Sequence, residues 1–101
     1  MVFIYTNCAS EGEAKLLGKM IIDQKMGACV DYWPIHSIFN NERGFKELPQ
    51  TMVMITTIES KIEEVNDFMS HHHSYSIPLV AGLDIHRINR AYKEWMAEKM
   101  I

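Results

Sequence analysis

Apolar and β-branched residues fill Val2 to Thr6, and Asn7-Cys8-Ala9 ends the run. This predicts a first strand that begins almost at Met1. Apolar positions then recur at helical spacing: Ala14, Leu17, Met20 and Ile21. Ser10-Glu11-Gly12-Glu13 ahead of them is a capping-box pattern, in which the hydroxyl accepts from a first-turn amide and the carboxylate reaches back. Gly27 reads as the stop of this helix. A long apolar strand follows at once, from about Ala28 to Asn40, with Pro34 inside it. A proline cannot donate to a strand ladder, so this strand needs an edge or a bulge there.

Asn40-Asn41-Glu42-Arg43-Gly44 is turn chemistry. A third strand from about Leu48 to Thr57 matches the second in length and predicts a long hairpin. Ser60-Lys61-Ile62-Glu63 is a second capping-box pattern, and Ile62, Val65, Phe68 and Met69 supply a stripe running to about His72. Ser74-Tyr75-Ser76-Ile77-Pro78 turns into a fourth strand, about Leu79 to Leu83. Asn89, preferred over Asp84, caps a last helix whose buried face carries Ile88, Ala91, Tyr92, Trp95 and Met96. The expected fold is α+β: a ferredoxin-like β-α-β-β-α-β unit with a C-terminal helix, residues 1–101 forming one domain. Two helices cover one sheet face and the last helix covers only part of the other. The remaining apolar surface and the long hairpin predict a closed, symmetric homo-oligomer, whose burial rather than the single-chain core holds the protein together.

Composition narrows the function classes. Nearly half of the 101 residues are hydrophobic, and eight methionines and ten aromatics are generous for this size, which again leaves apolar surface for other subunits. A formal charge of −3 offers no footprint for nucleic acid. No apolar run approaches membrane-spanning length, and the N-terminus has neither a basic region nor a cleavage site, so no membrane insertion or secretion is expected. Two cysteines in such a chain are expected to be free thiols in the cytoplasm.

Few residues carry chemistry by pattern. His71-His72-His73 point about 100° apart on a regular helix and cannot share one metal unless the helix end splays. They either bind copper, zinc or nickel there or complement the helix dipole in solvent. Cys8 precedes a helix N-terminus, a place that lowers a thiol pKa and suits a soft-metal ligand, and otherwise it is a small buried apolar residue. Cys29 opens the second strand with the same two readings. There is no CxxC spacing, no Ser/His/Asp order and no phosphate loop; Glu63-Glu64 is a solvated helix start, and Tyr92 and Trp95 pack a core or an interface. No enzyme is expected.

Asn7-Cys8-Ala9-Ser10-Glu11-Gly12-Glu13-Ala14, Ala28-Cys29-Val30-Asp31, Ser37-Ile38-Phe39 and His73-Ser74-Tyr75-Ser76-Ile77-Pro78 occur in that order, with Asn89 to Tyr92 and Trp95 in the last helix. The set resembles the CutA family of divalent-cation tolerance proteins: its Thr-Cys-Pro-Asp start with acidic residues after it, its Ala-Cys-Val-Asn, its Ser-Ile-Tyr and its His-Pro-Tyr-Glu-Val-Pro. The resemblance runs end to end. It implies a ferredoxin-like subunit in a tight cytoplasmic homotrimer, a link to copper or another divalent cation, and a cleft between subunits built on the Cys29 strand and the His73–Tyr75 turn. By motif match Cys8, Cys29 and His73 are the metal candidates, the thiols preferring Cu(I) to Zn(II), and Cys29, His73 and Tyr75 are the cleft candidates.

The chain also departs from the family. Its Trp and Gly after Ser-Ile-Tyr fall on Asn41 and Arg43, its strand Lys on Thr56, and its Glu residues near the His-Pro-Tyr turn on Ser76 and Leu79. Losing those carboxylates removes oxygen ligands and acid/base groups. Three other readings stand beside metal tolerance: a trimeric signalling protein similar to the PII proteins that binds a nucleotide between subunits, a scaffold for a protein partner, and a small enzyme in the intersubunit cleft.

Overall fold

The alternation at the N-terminus becomes β1, Val2–Cys8, in the computed structural model, which describes all 101 residues. Its burial alternates residue by residue, and it runs two residues beyond Thr6 because Asn7 and Cys8 pair with Met52 and Thr51. α1, Glu11–Asp23, starts at Ser10, whose Oγ accepts from the Glu13 amide at 3.1 Å. Glu13 Oε1 in turn accepts from the Ala9 amide at 3.1 Å, so the capping box closes one residue before its usual return position. β2, Cys29–Asn41, and β3, Gly44–Thr57, form the long hairpin. A 3₁₀ turn at Glu59–Lys61 leads into α2, Ile62–His72, followed by β4, Ala81–Asp84, and α3, Arg90–Lys99. The element order is the expected β-α-β-β-α-β with a terminal helix.

All pairings are antiparallel, in the order β2-β3-β1-β4. β3 therefore lies between β1 and β2, which is the split βαβ arrangement. The β2–β3 register is unbroken from Cys29↔Thr56 to Asn41↔Gly44, so no bulge relieves Pro34. The edge position of β2 does so instead, since its amides on one side have no partner strand. Pro49 is placed by the same rule: β1 reaches only to Thr51, and beyond it β3 pairs with β2 alone. The hairpin overhangs the sheet there, ending in a turn where Asn41 Oδ1 accepts from the Arg43 amide at 2.8 Å. Gly44, with φ 102°, supplies the left-handed backbone that closes it.

Alternation along the strands sorts their side chains onto two faces. Ile4, Val53 and Ile55 face the helices and pack with Leu17 and Ile21 of α1 and Val65, Phe68 and Met69 of α2. Phe3, Tyr5, Met52, Met54, Trp33 and Ile35 occupy the opposite face. There the α3 end of the chain comes alongside only in part: Ile85, Ile88 and Tyr92 share a cavity with Phe3 and Met54. Of the expected α3 face, Met96 alone is buried, and Trp95 remains 39% exposed.

Three local expectations are corrected. α1 ends before Gly27 through a Schellman motif: the Lys25 amide donates to Ile22 O, the Met26 amide to Ile21 O, and Lys25 takes the left-handed conformation at φ 57°. Gly27 serves packing instead, for a Cβ there falls 2.8 Å from Ile55 Cγ2 and 3.1 Å from Ile21 Cγ2. Ser60 does not cap α2; it lies within the 3₁₀ turn, whose Lys61 amide bonds to Ile58 O, and the helix start makes no side-chain cap bond. The fourth strand begins at Ala81 rather than Leu79, where pairing with β1 begins. Gly27→Ala is expected to cost about 1–3 kcal/mol by overpacking the core, measured by urea denaturation.

Candidate functional site

The strand alternation that buries Ile4 also buries Cys8 on the helix face of β1. α2 ends at His72, and His73 leaves it in extended conformation (φ −74°, ψ 141°), which turns its ring inward until the side chain is fully buried. Its Nε2 is 2.9 Å from the Asn7 carbonyl and its Nδ1 is 3.0 Å from the Tyr75 amide. The carbonyl only accepts and the amide only donates. The ring is therefore the neutral tautomer with its proton on Nε2, and both nitrogens are engaged. Cys8 Sγ sits 3.9 Å from Nε2.

Glu13 completes this cluster. Its Oε2 accepts from the Ser74 amide at 2.8 Å, and its Oε1 accepts from the Ser74 hydroxyl at 2.9 Å and from Ala9. One carboxylate thus ties α1, the end of β1 and the α2–β4 loop together, with His73 Nδ1 at 4.0 Å. Partial burial works to raise the Glu13 pKa. The donors from Ser74 and Ala9 outweigh it and hold the carboxyl below its ordinary value. The same charge acts on its neighbours. Burial first, and Glu13 second, push the Cys8 thiol up to about 12. Burial, then Glu13 and Cys8, raise Tyr75.

The helix-start position thus does not lower the Cys8 pKa, because desolvation and a neighbouring carboxylate prevail over the dipole. Cys29 is placed differently. It lies on the opposite sheet face, half-buried, and its Sγ donates to Asp31 Oδ2 at 3.7 Å. Burial and Asp31 raise its pKa too. Cys8 pairs with Thr51 and Cys29 with Thr56, so the thiols are about 17 Å apart along the strands and on opposite faces. Iodoacetamide at pH 8 is expected to modify Cys29 roughly tenfold or more faster than Cys8, read by peptide mass spectrometry.

Tyr75 links the buried cluster to an open cleft of about 590 Å³ between the hairpin overhang and the α2–β4 loop. Its floor is a shared acceptor: Gln50 Oε1 takes the Tyr75 hydroxyl at 2.7 Å and Asn7 Nδ2 at 3.0 Å. Phe39, Leu48, Ile77 and Leu79 form its walls, and no lining residue is charged.

Of the sequence candidates, Cys8 and His73 meet, Tyr75 lines the cleft in front of them, and Cys29 stands apart. His71 bonds the Asp67 carbonyl at 2.8 Å and His72 lies 4.5 Å from the Phe68 ring, so the three histidines diverge. No three His, Cys, Asp or Glu side chains are arranged to hold a metal within one chain. Among the departures, Leu79 faces the cleft, Ser76 is exposed beside it, Thr56 is buried between Phe3 and Cys29, and Asn41 and Arg43 form the hairpin turn. Glu13, Asn7 and Gln50 were not legible as site residues. Glu13 already had a sufficient role in the capping box, and the two amides carry no motif.

The sequence model of the family described as CutA1 divalent ion tolerance protein matches residues 2–99. The divalent-cation tolerance protein CutA of Archaeoglobus fulgidus is 30% identical over 96 residues, covering 95% of this chain and 94% of that protein. Human protein CutA is 26% identical over 95 residues, covering 93% of this chain but 53% of that protein, so the chain spans about half of that relative's length. The structure of the periplasmic divalent cation tolerance protein CutA from Archaeoglobus fulgidus superposes with a TM-score of 0.94 at 29% identity, covering 100% of both chains. CutA1 from Pyrococcus horikoshii superposes with a TM-score of 0.96 at 22% identity, covering 100% of this chain and 99% of that one, a likeness of fold. With the sheet order, the long hairpin and the ordered motifs at Cys8, Cys29 and His73 all matched along one span, the chain belongs to the CutA1 divalent ion tolerance protein family.

Proposed function

We propose that this chain acts in divalent-cation tolerance as a cytoplasmic homotrimeric binding protein without a catalytic role, and that its clefts form between subunits. The observation that carries the reading is the separation of Cys29 from His73 and Tyr75 within one chain. A cleft that uses both ends needs a second copy to bring its β2 edge to the first copy's loop. The apolar face of half-buried Met52, Met54 and Ile35 with exposed Trp33 supports such an assembly. No helix is long and apolar enough to cross a membrane. Copper, as Cu(I), is the cation best suited to a thiolate, and Cys29 with Asp31 is the more accessible of the two thiol positions.

The test pairs sedimentation equilibrium with a Cu(I) titration of the reduced protein and of Cys29→Ser and Cys8→Ser. A trimer with stoichiometric, sub-micromolar binding that is lost in Cys29→Ser and kept in Cys8→Ser is expected. A stable folded monomer, or zinc competing equally for the same site, overturns it. The nucleotide reading, by analogy with PII proteins, has less support, because the cleft offers polyphosphate no counter-charge.

A further inference from the structure

The floor of the cleft contains two groups that the fold leaves unused. Gln50 is 8% exposed, and its Oε1 accepts from both Asn7 Nδ2 and Tyr75 Oη. In this arrangement Gln50 presents its oxygen to two donors and Asn7 presents its nitrogen to Gln50; with both amides turned over and the Tyr75 hydroxyl accepting, one donor and one acceptor are again left over. In the first case Gln50 Nε2 and Asn7 Oδ1 have no hydrogen-bond partner in the chain. Neither is sealed in the interior, where Thr6 Oγ1 is the one buried side-chain oxygen or nitrogen without a partner. Both residues line the cleft and their amides meet at 3.0 Å, so each brings an unpartnered polar group to its floor.

We propose that this cleft binds an uncharged planar molecule with a cis-amide edge, such as a lactam or a nucleobase, on Gln50 Nε2 and Asn7 Oδ1. The carbonyl of such an edge accepts from Gln50 Nε2, and its N–H donates to Asn7 Oδ1. The apolar body lies against Phe39, Leu48 and Leu79. The volume of about 590 Å³ is in the range of small-molecule sites. The absence of charge in the lining selects a neutral ligand, because a buried ion here would lose water and gain no counter-ion. The floor is rigid, held from behind by the Tyr75 amide on His73 and by Glu13 on Ser74. This deepens the small-ligand side of the proposed function, yet its polar contacts come from a single chain. It can fail or succeed independently of Cu(I) binding at Cys29.

The test is a titration of the assembled protein with 2-quinolinone, a neutral bicyclic lactam, followed by ligand-observed NMR and calorimetry. 1-Methyl-2-quinolinone, with its N–H blocked, is the matched control on unaltered protein. Saturable binding of 2-quinolinone is expected, about tenfold or more weaker for the methylated probe and for Gln50→Leu. Tyr75→Phe, which releases one hold on Gln50 Oε1 and keeps the ring, is expected to weaken binding less. Absent binding, equal affinity for both probes, or a crystal structure in which a second copy's side chains fill the cleft overturns the proposal. The comparison of two probes on one protein keeps it testable even where Gln50→Leu fails to fold.

Discussion

Trp33→Glu combined with Ile35→Glu is expected to break the proposed trimer into monomers and to lower its melting temperature steeply. Both residues project from β2 onto the sheet face away from α1 and α2, Trp33 being 39% exposed in the isolated chain and Ile35 half-buried. Neither belongs to the core cluster, so the charges spare the protomer's core. They strike the surface that a neighbour would dehydrate. Burying a carboxylate there without a partner is unfavourable, and an aromatic anchor contributes about 2–4 kcal/mol to an interface. Only 20 of 101 residues are buried in the lone chain, a thin core to which the proposed assembly is expected to add much of the stability. A loss of about 4 kcal/mol corresponds to roughly 15–30 °C in a domain of this size. Sedimentation velocity and thermal circular dichroism check both parts. A trimer that survives both charges shows that the interface lies elsewhere.

The topology was legible because it is written locally. Turn residues at Asn40–Gly44 and alternation in β1 and β3 define the strands, and the Ser10–Glu13 box starts α1 where expected. Pro34 also pointed correctly to a strand edge. The misreadings came where tertiary packing overrode a local signal. Gly27 looked like a helix stop, but Ile55 and Ile21 require it to be small, while Lys25 accepts the strained backbone. Of the two readings open for Cys8, activation by a helix start fails and burial as a small apolar residue holds, beside Glu13. The site itself joins partners far apart in sequence: Glu13 to Ser74 across 61 positions, His73 to Asn7 across 66 and Tyr75 to Gln50 across 25. No periodicity encodes such contacts. His73 and Tyr75 were found through their resemblance to a family motif, and Asn7, Gln50 and Glu13 required coordinates.

Glu13→Ala is expected to destabilise the protein by about 2–4 kcal/mol, the sum of a few charge-assisted hydrogen bonds less the water that replaces them. The carboxylate accepts from Ser74 N, Ser74 Oγ and Ala9 N. Its loss frees the loop that carries Tyr75, so 2-quinolinone binding is expected to weaken together with stability. Glu13→Gln keeps an oxygen that can accept but not the charge, and should fall between the two. The pH dependence gives a sharper test. Glu13 has a folded pKa below its ordinary value, so on acidification the unfolded chain takes up this proton before the folded one does. The Glu13 contribution is therefore fully present above the ordinary glutamate range and is lost as pH falls through the lower folded value. Cys8 and Tyr75, the titratable neighbours with raised values, stay protonated throughout that window. Urea midpoints measured between pH 7 and pH 3 should show wild type losing more stability than Glu13→Gln, the two curves converging in acid. Parallel curves mean that the charge on Glu13 contributes nothing and that only its shape holds the loop.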